Sequence, residues 1–239
     1  MRWIALLLLS LSAVAMADAT SDKLAAQLKV APKDVVPAEV PGLYRVTLGP
    51  QILYVTADGR YVLRGDLIQL SDGRDLSAEA RDAARAAYIA GIGEQDMIVF
   101  GPPHPRHVVT VLTDIDCAYC RQLADEMPQL VQAGVEVRYL AFPRTGVDSP
   151  SWDKAVSVWC ARDRRIAYQL AMKGDPVAAP DPKCDSRPVL AGYEFAHKLG
   201  LDGTPAIFTE DGHLIDGYVP AEQLVKLLDA PALLAGASD

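Results

Sequence analysis

Two cysteines, Cys117 and Cys120, stand at the join between an apolar strand-like run, His107–Thr113, and a helix-like run that opens at Arg121. This setting puts Cys117 in the first turn of a helix. Unpaired backbone N–H groups and the positive end of the helix dipole stabilise a thiolate there. A cysteine so placed can fall from a pKa of about 8.5 to roughly 3.5–7.5, which makes it a nucleophile near neutral pH. Cys120, one turn on, is within reach of a mixed disulfide formed at Cys117. With Ala118 and Tyr119 between them, the two sulfurs are arranged for thiol–disulfide exchange, provided that Cys117 is open to solvent. The same spacing is half of a zinc site. A metal would need two further ligands from Cys160, Cys184, His104 and His107, and the chain has no second C-x-x-C and no H-x-x-x-H. The expectation is no metal and no cofactor.

The N-terminus carries a cationic Arg2, an apolar stretch from Trp3 to Val14, and a small-x-small site at Ala15-Met16-Ala17. This is the pattern of a secretory signal, so residues 1–17 are expected to be cleaved and the rest exported without stable membrane insertion. Cleavage leaves 222 residues, enough for two modest domains, and moves the formal charge from −8 to −9. A chain this acidic is unsuited to nucleic acid, which binds basic patches. All four cysteines lie after the signal, and an exported protein permits disulfides. Cys160 and Cys184 lack the strand–turn–helix setting of the first pair. A bond between them would close a loop of about 24 residues worth ~3 kcal/mol. It is read as structural, with a second redox pair as the rival.

Residues 18–30 read as a short amphipathic helix, followed by a loop in which Pro32, Pro37 and Pro41 oppose regular structure. Period-two alternation then runs through Leu43–Leu48, Ile52–Thr56, Tyr61–Leu63 and Leu67–Leu70, with Asp58-Gly59 as a hairpin signal. The result is a small antiparallel meander over 18–75, α+β in class. A unit this small leaves an unpaired edge, for which pairing with a second copy is the natural remedy. Ser77–Ala90 is a helix of strong formers with Ser77 as its expected N-cap, so 76–91 is assigned as a linker helix. Residues 92–239 read as an α/β domain: strands at 97–100, 108–112 and 135–142, a helical insertion over 151–171, a helix near 190–199, two strands from Ala206 and a closing helix at 221–228.

Gly203-Thr204-Pro205-Ala206 opens the strand after the insertion. A cis Thr204–Pro205 bond would remove a ladder donor and turn the Thr204 backbone toward an extended peptide beside Cys117. The C-x-x-C and T-P elements resemble the thioredoxin superfamily. M-I-V-F (97–100), H-V-V-T-V-L-T-D-I-D-C-A-Y-C (107–120), V-R-Y-L-A-F-P-R (137–144), W-C (159–160), G-T-P-A (203–206) and G-Y-x-P (217–220) resemble the exported DsbC/DsbG family, nearer its DsbC branch.

That resemblance implies a homodimer paired through a cystatin-like N-terminal domain, a linker helix, and a C-terminal thioredoxin-like catalytic domain with a helical insertion. It implies that Cys117 attacks, that Cys120 resolves, that Thr204 and Pro205 form a cis-proline loop that binds substrate, and that Cys160–Cys184 is a structural disulfide. The expected activity is that of a periplasmic disulfide isomerase or reductase acting on misfolded or mis-oxidised exported proteins, with some chaperone-like holding. A DsbD-like membrane reductant would keep it reduced. The rivals are a DsbA-like oxidase, which lacks the N-terminal meander, a DsbG-like chaperone or sulfenic-acid reductase, and a holdase whose C-x-x-C is inert. Two positions depart from pattern. Ala118 stands where DsbC-like enzymes usually carry Gly. Val111 stands where thioredoxins carry a buried acid, which leaves Tyr119 or solvent to handle the Cys120 proton.

Overall fold

A computed structural model of the chain describes residues 19–181 and 183–230, so the expected signal segment lies outside the described residues. The chain divides into two compact units, Met1–Ala84 and Arg85–Asp239.

In the first unit, helical residues 19–28 (α1) bury Leu24 and Ala25 against a four-stranded antiparallel sheet. Its strands are β1 (Val35–Pro37), β2 (Leu43–Leu48), β3 (Gln51–Thr56) and β4 (Val62–Leu63), in that spatial order. Tyr44, Val46 and Val55 complete the core with Val35, so the period-two reading of β2 and β3 picks out the buried face. Gly59, at φ +71°, closes the β3–β4 turn by donating to the Thr56 carbonyl at 2.8 Å. Two expectations are corrected. The Pro-rich loop contains a strand, because Pro37 sits at the end of β1 on the edge of the sheet, opposite Tyr44, where a missing donor costs little. Residues 67–70 do not extend the meander. Ile68–Gln69 (β5) pairs instead with Arg74–Asp75 (β6) in a separate two-stranded ribbon.

The helix α2 (Leu76–Ala90) forms where its composition places it, but Ser77 is not its cap. The Asp75 carboxylate accepts from the Ser77 and Ala78 N–H groups at 2.9 and 2.8 Å. Ser77 is fully buried, and its hydroxyl lies 2.7 Å from both the Tyr54 hydroxyl and the Leu67 N–H. That last bond diverts the chain at Leu67 and explains why the meander stops.

The second unit is built on a five-stranded sheet of order β11-β10-β8-β9-β7, from β7 (Ile98–Phe100), β8 (His107–Thr113), β9 (Val135–Ala141), β10 (Ala206–Thr209) and β11 (Leu214–Asp216). Only β8 and β9 are parallel, joined through α3 (Ala118–Gln132). Alternation along the strands feeds two cores. Val109, Val111, Val137 and Tyr139 face Leu123, Met127 and Leu130 of α3 and Leu224 of α7 (Ala221–Asp229). Leu112, Leu140 and Phe208 pack with Phe195 of α6 (Arg187–Leu199) on the other face. The result is a helix–sheet–helix sandwich. The insertion read as one helix is two, α4 (Pro150–Trp159) and α5 (Arg164–Lys173). The Asp163 carboxylate accepts from the Ile166 N–H at 3.1 Å and starts a new helix there. Gly192 of α6 meets the backbone of β9 so closely that a Cβ would run into the Ala141 carbonyl.

Candidate active site

Strand β8 ends at Thr113, and the chain turns through residues 114–116 before α3. The Asp114 carboxylate accepts from the Asp116 N–H at 2.9 Å, and the Cys117 N–H donates to the Asp114 carbonyl at 3.1 Å. This turn makes Cys117 the N-cap of α3 rather than part of its first turn, and its Sγ accepts from the Cys120 N–H at 3.4 Å. One of the unpaired donors at the helix start is thus aimed at the sulfur.

Opposite it lies the loop before β10. Ala206 pairs with Leu112, so the residues just ahead of Ala206 are carried to the end of β8 where the cysteine turn begins. The Thr204–Pro205 peptide is cis. Pro205 cannot donate, and its carbonyl is tied to the Gly217 N–H at 3.0 Å. The Thr204 carbonyl lies 3.2 Å from Cys117 Sγ and accepts from it when the thiol is protonated. The Thr204 hydroxyl is buried and has no fixed partner among the described residues.

These surroundings separate the two sulfurs. Cys117 is pulled down to about 5. The largest cause is a hydrogen bond from the Cys120 thiol, which outweighs the effect of burial. Thr204, the Cys120 N–H and the positive charge of Arg144 add to it. Cys120 is pushed far up, first by burial and then by its role as donor to Cys117. Ionisation is therefore concentrated on Cys117, with one proton held between the pair.

Accessibility is narrower than the motif predicts. Cys117 keeps only 5% of its surface exposed, because the Thr204–Pro205 loop closes against it. Cys120 keeps 1%, so its sulfur has almost no contact with bulk solvent. Tyr119 is 61% exposed and stacks on Tyr218 with ring centroids 6.0 Å apart. The hydroxyl groups that share the buried core with Cys120 are those of Tyr139 and Tyr168, both raised by burial first and by the Cys120 charge among the lesser causes.

Cys160 and Cys184 form a disulfide with Cα atoms 5.8 Å apart, while Cys117 and Cys120 are free. Cys160 also caps the C-terminus of α4. His107 lies 2.8 Å from the Asp229 carboxylate. Among the described residues, no three His, Cys, Asp or Glu side chains are grouped to hold a metal.

Sequence reasoning gave no role to Asp114, Arg144 and Ser151, which surround the cysteine turn. Asp114 is 2% exposed and accepts from Ser151 Oγ at 2.7 Å, Arg144 N at 3.1 Å and Arg144 Nε at 3.0 Å. A signal did exist. Asp114 and Arg144 follow the C-terminal ends of the two parallel strands, the place where α/β sheets gather functional groups.

Residues 93–232 match a family model described as a thioredoxin-like domain, and residues 12–78 match one described as the disulfide bond isomerase protein N-terminal domain. The thiol:disulfide interchange protein DsbC of Dickeya dadantii is 35% identical over 232 residues, covering 94% of this chain and 92% of that protein. Its Escherichia coli K12 counterpart is 33% identical over 224 residues, covering 93% and 92%. Among solved structures, a linker-deletion mutant of Proteus mirabilis ScsC aligns with TM-score 0.55 at 18% identity, over 65% of this chain and 84% of that one. That likeness concerns the fold alone.

Proposed function

The chain belongs to the DsbC family of thiol:disulfide interchange proteins, and on that premise we propose that it reshuffles wrong disulfides, with Cys117 attacking and Cys120 resolving. The activity is that of a thiol–disulfide oxidoreductase. The observation that carries the division of labour is that Cys117 caps α3 and faces the Thr204 carbonyl at 3.2 Å while Cys120 is buried one turn in, an arrangement that lowers the first sulfur and raises the second.

The Cys117 thiolate attacks one sulfur of a substrate disulfide. A Cys117–substrate bond forms, the substrate S–S bond breaks, and the departing substrate sulfur leaves as a thiolate. A substrate thiolate then attacks the substrate sulfur of the mixed bond. A new substrate disulfide forms, Cys117 leaves as thiolate, and no net oxidation has occurred. When this stalls, Cys120 attacks Cys117 Sγ, the bond to the substrate sulfur breaks, and the Cys120 proton passes to that departing sulfur, which leaves as a thiol. The Cys117–Cys120 disulfide forms, and the substrate departs reduced with both electrons. A dithiol donor must then restore the enzyme, which is the place of a DsbD-like membrane reductant. Thr204 and Pro205 form the wall against which an extended substrate segment lies.

Isomerase use is favoured over oxidase use by the N-terminal unit, whose Tyr61, Val62, Leu63, Ile68 and Leu70 stand exposed, Leu70 at 95%. Of these, Val62 and Leu63 lie on β4, the edge strand of the four-stranded sheet, an edge suited to pairing with a second copy. The secretory pattern of residues 1–17 supports a periplasmic location for such a dimer. Among the described residues, no helix is long and apolar enough to cross a membrane. Reactivation of scrambled ribonuclease tests the assignment. Cys117→Ala is expected to abolish it, and retained activity overturns the reading.

A further inference from the structure

The Asp114 carboxylate is nearly sealed from water yet takes four hydrogen bonds: Asp116 N–H, Arg144 N–H, Arg144 Nε and Ser151 Oγ. Burial alone would raise this acid, but the donors outweigh it and hold it ionised. A buried ion pair is weak evidence for stability, since desolvation consumes much of the attraction. Its position in the chain suggests another use. Through its carbonyl Asp114 receives the Cys117 N–H, and through its carboxylate it grips both the backbone and the guanidinium of Arg144.

We propose that Asp114 and Arg144 are the positioning pair of the attacking thiol: Asp114 fixes the Arg144 guanidinium so that its charge stays beside Cys117 and favours the thiolate. This rests on the reading of Cys117 as the nucleophile. The other charges nearby are engaged elsewhere. On α3, Arg121 bonds the Ile115 carbonyl and lies 3.6 Å from Asp116. On α4, Lys154 bonds Asp116 at 2.7 Å. The cis-proline loop contributes Thr204 and one carboxylate, Asp202, which stands exposed. Below Cys120 the ionisable groups are Tyr139 and Tyr168, both kept neutral by burial. Arg144 is among the groups that lower Cys117, and Arg144 is itself raised by Asp114 first and then by the two sulfurs.

The test is the thiolate ultraviolet absorbance of the reduced full chain, titrated for wild type, Arg144→Gln and Arg144→Lys. A fixed cation within about 4–6 Å shifts an ionisable group by about one to three units, and the Asp114 counter-charge reduces what Arg144 contributes to the lower end. Arg144→Gln is therefore expected to raise the Cys117 midpoint by about one unit, a roughly tenfold loss of thiolate on the acid side, and Arg144→Lys to restore most of it. A folded Arg144→Gln chain that titrates like wild type overturns the proposal. If Arg144→Gln does not fold, wild type decides. Its midpoint should rise by about half a unit or more on going from low salt to about 1 M, as the partly exposed guanidinium is screened, and no rise overturns the proposal. A wild-type chain with no acidic thiolate would instead defeat the functional reading itself.

Discussion

Replacing Cys120 by Ala tests whether the acidity of Cys117 comes from its neighbour's proton. The Cys120 thiol is the largest cause holding Cys117 near 5, so deleting it removes a hydrogen bond to a charged acceptor. Such bonds are worth about 1.5–3 kcal/mol, which at 1.36 kcal/mol per unit is roughly one to two pKa units. The midpoint should climb from about 5 to about 6–7. Alkylation of Cys117 by iodoacetamide, followed against pH, reads this directly. Near pH 5 the rate should fall roughly 5- to 50-fold, while near pH 8, where Cys117 is ionised in both proteins, the two should react almost alike. Cys120→Ser keeps a donor and should move the midpoint less. An Ala variant still centred near 5, or Ala and Ser variants shifted equally, would refute the reasoning. The helix N-terminus and the Thr204 loop would then be doing what is ascribed here to Cys120.

Two further predictions concern the scaffold. Gly192→Ala forces a methyl group into the Ala141 carbonyl and to within 3.0 Å of its nitrogen, where backbone must give way on both sides. Thermal unfolding should show a loss of about 3 kcal/mol or more, and a wild-type melting curve would contradict the close approach of α6 to β9. Replacing both Cys160 and Cys184 by Ala opens a 24-residue loop, and denaturant unfolding should register a loss of about 3 kcal/mol with reactivity at Cys117 retained. Loss of that reactivity in the folded variant would show that the bond reaches the active site.

Much of the scaffold was legible because it rests on local rules. Period-two alternation marked β2 and β3, apolar runs marked β8 and β9, and Asp58-Gly59 marked its turn. Where local rules misled, a distant partner had overridden them. Ser77 has the chemistry of an N-cap, but the Tyr54 hydroxyl and the Leu67 N–H claim its side chain, and Asp75 caps instead. Residues 151–171 carry helical composition throughout, yet Asp163 finds a free N–H and splits them.

At the site the same boundary holds. The residues alone determined that two thiols follow a buried strand and open a helix, and that a Thr-Pro step precedes another strand. Spacing and helix polarity are properties of neighbours in sequence. That Cys117 is nearly covered, that its proton is shared with Cys120, and that Arg144 and Asp114 stand around it were decided only when β8, β9 and β10 aligned. Burial and electrostatic fields depend on distances between segments far apart in the chain, and no local pattern encodes those distances.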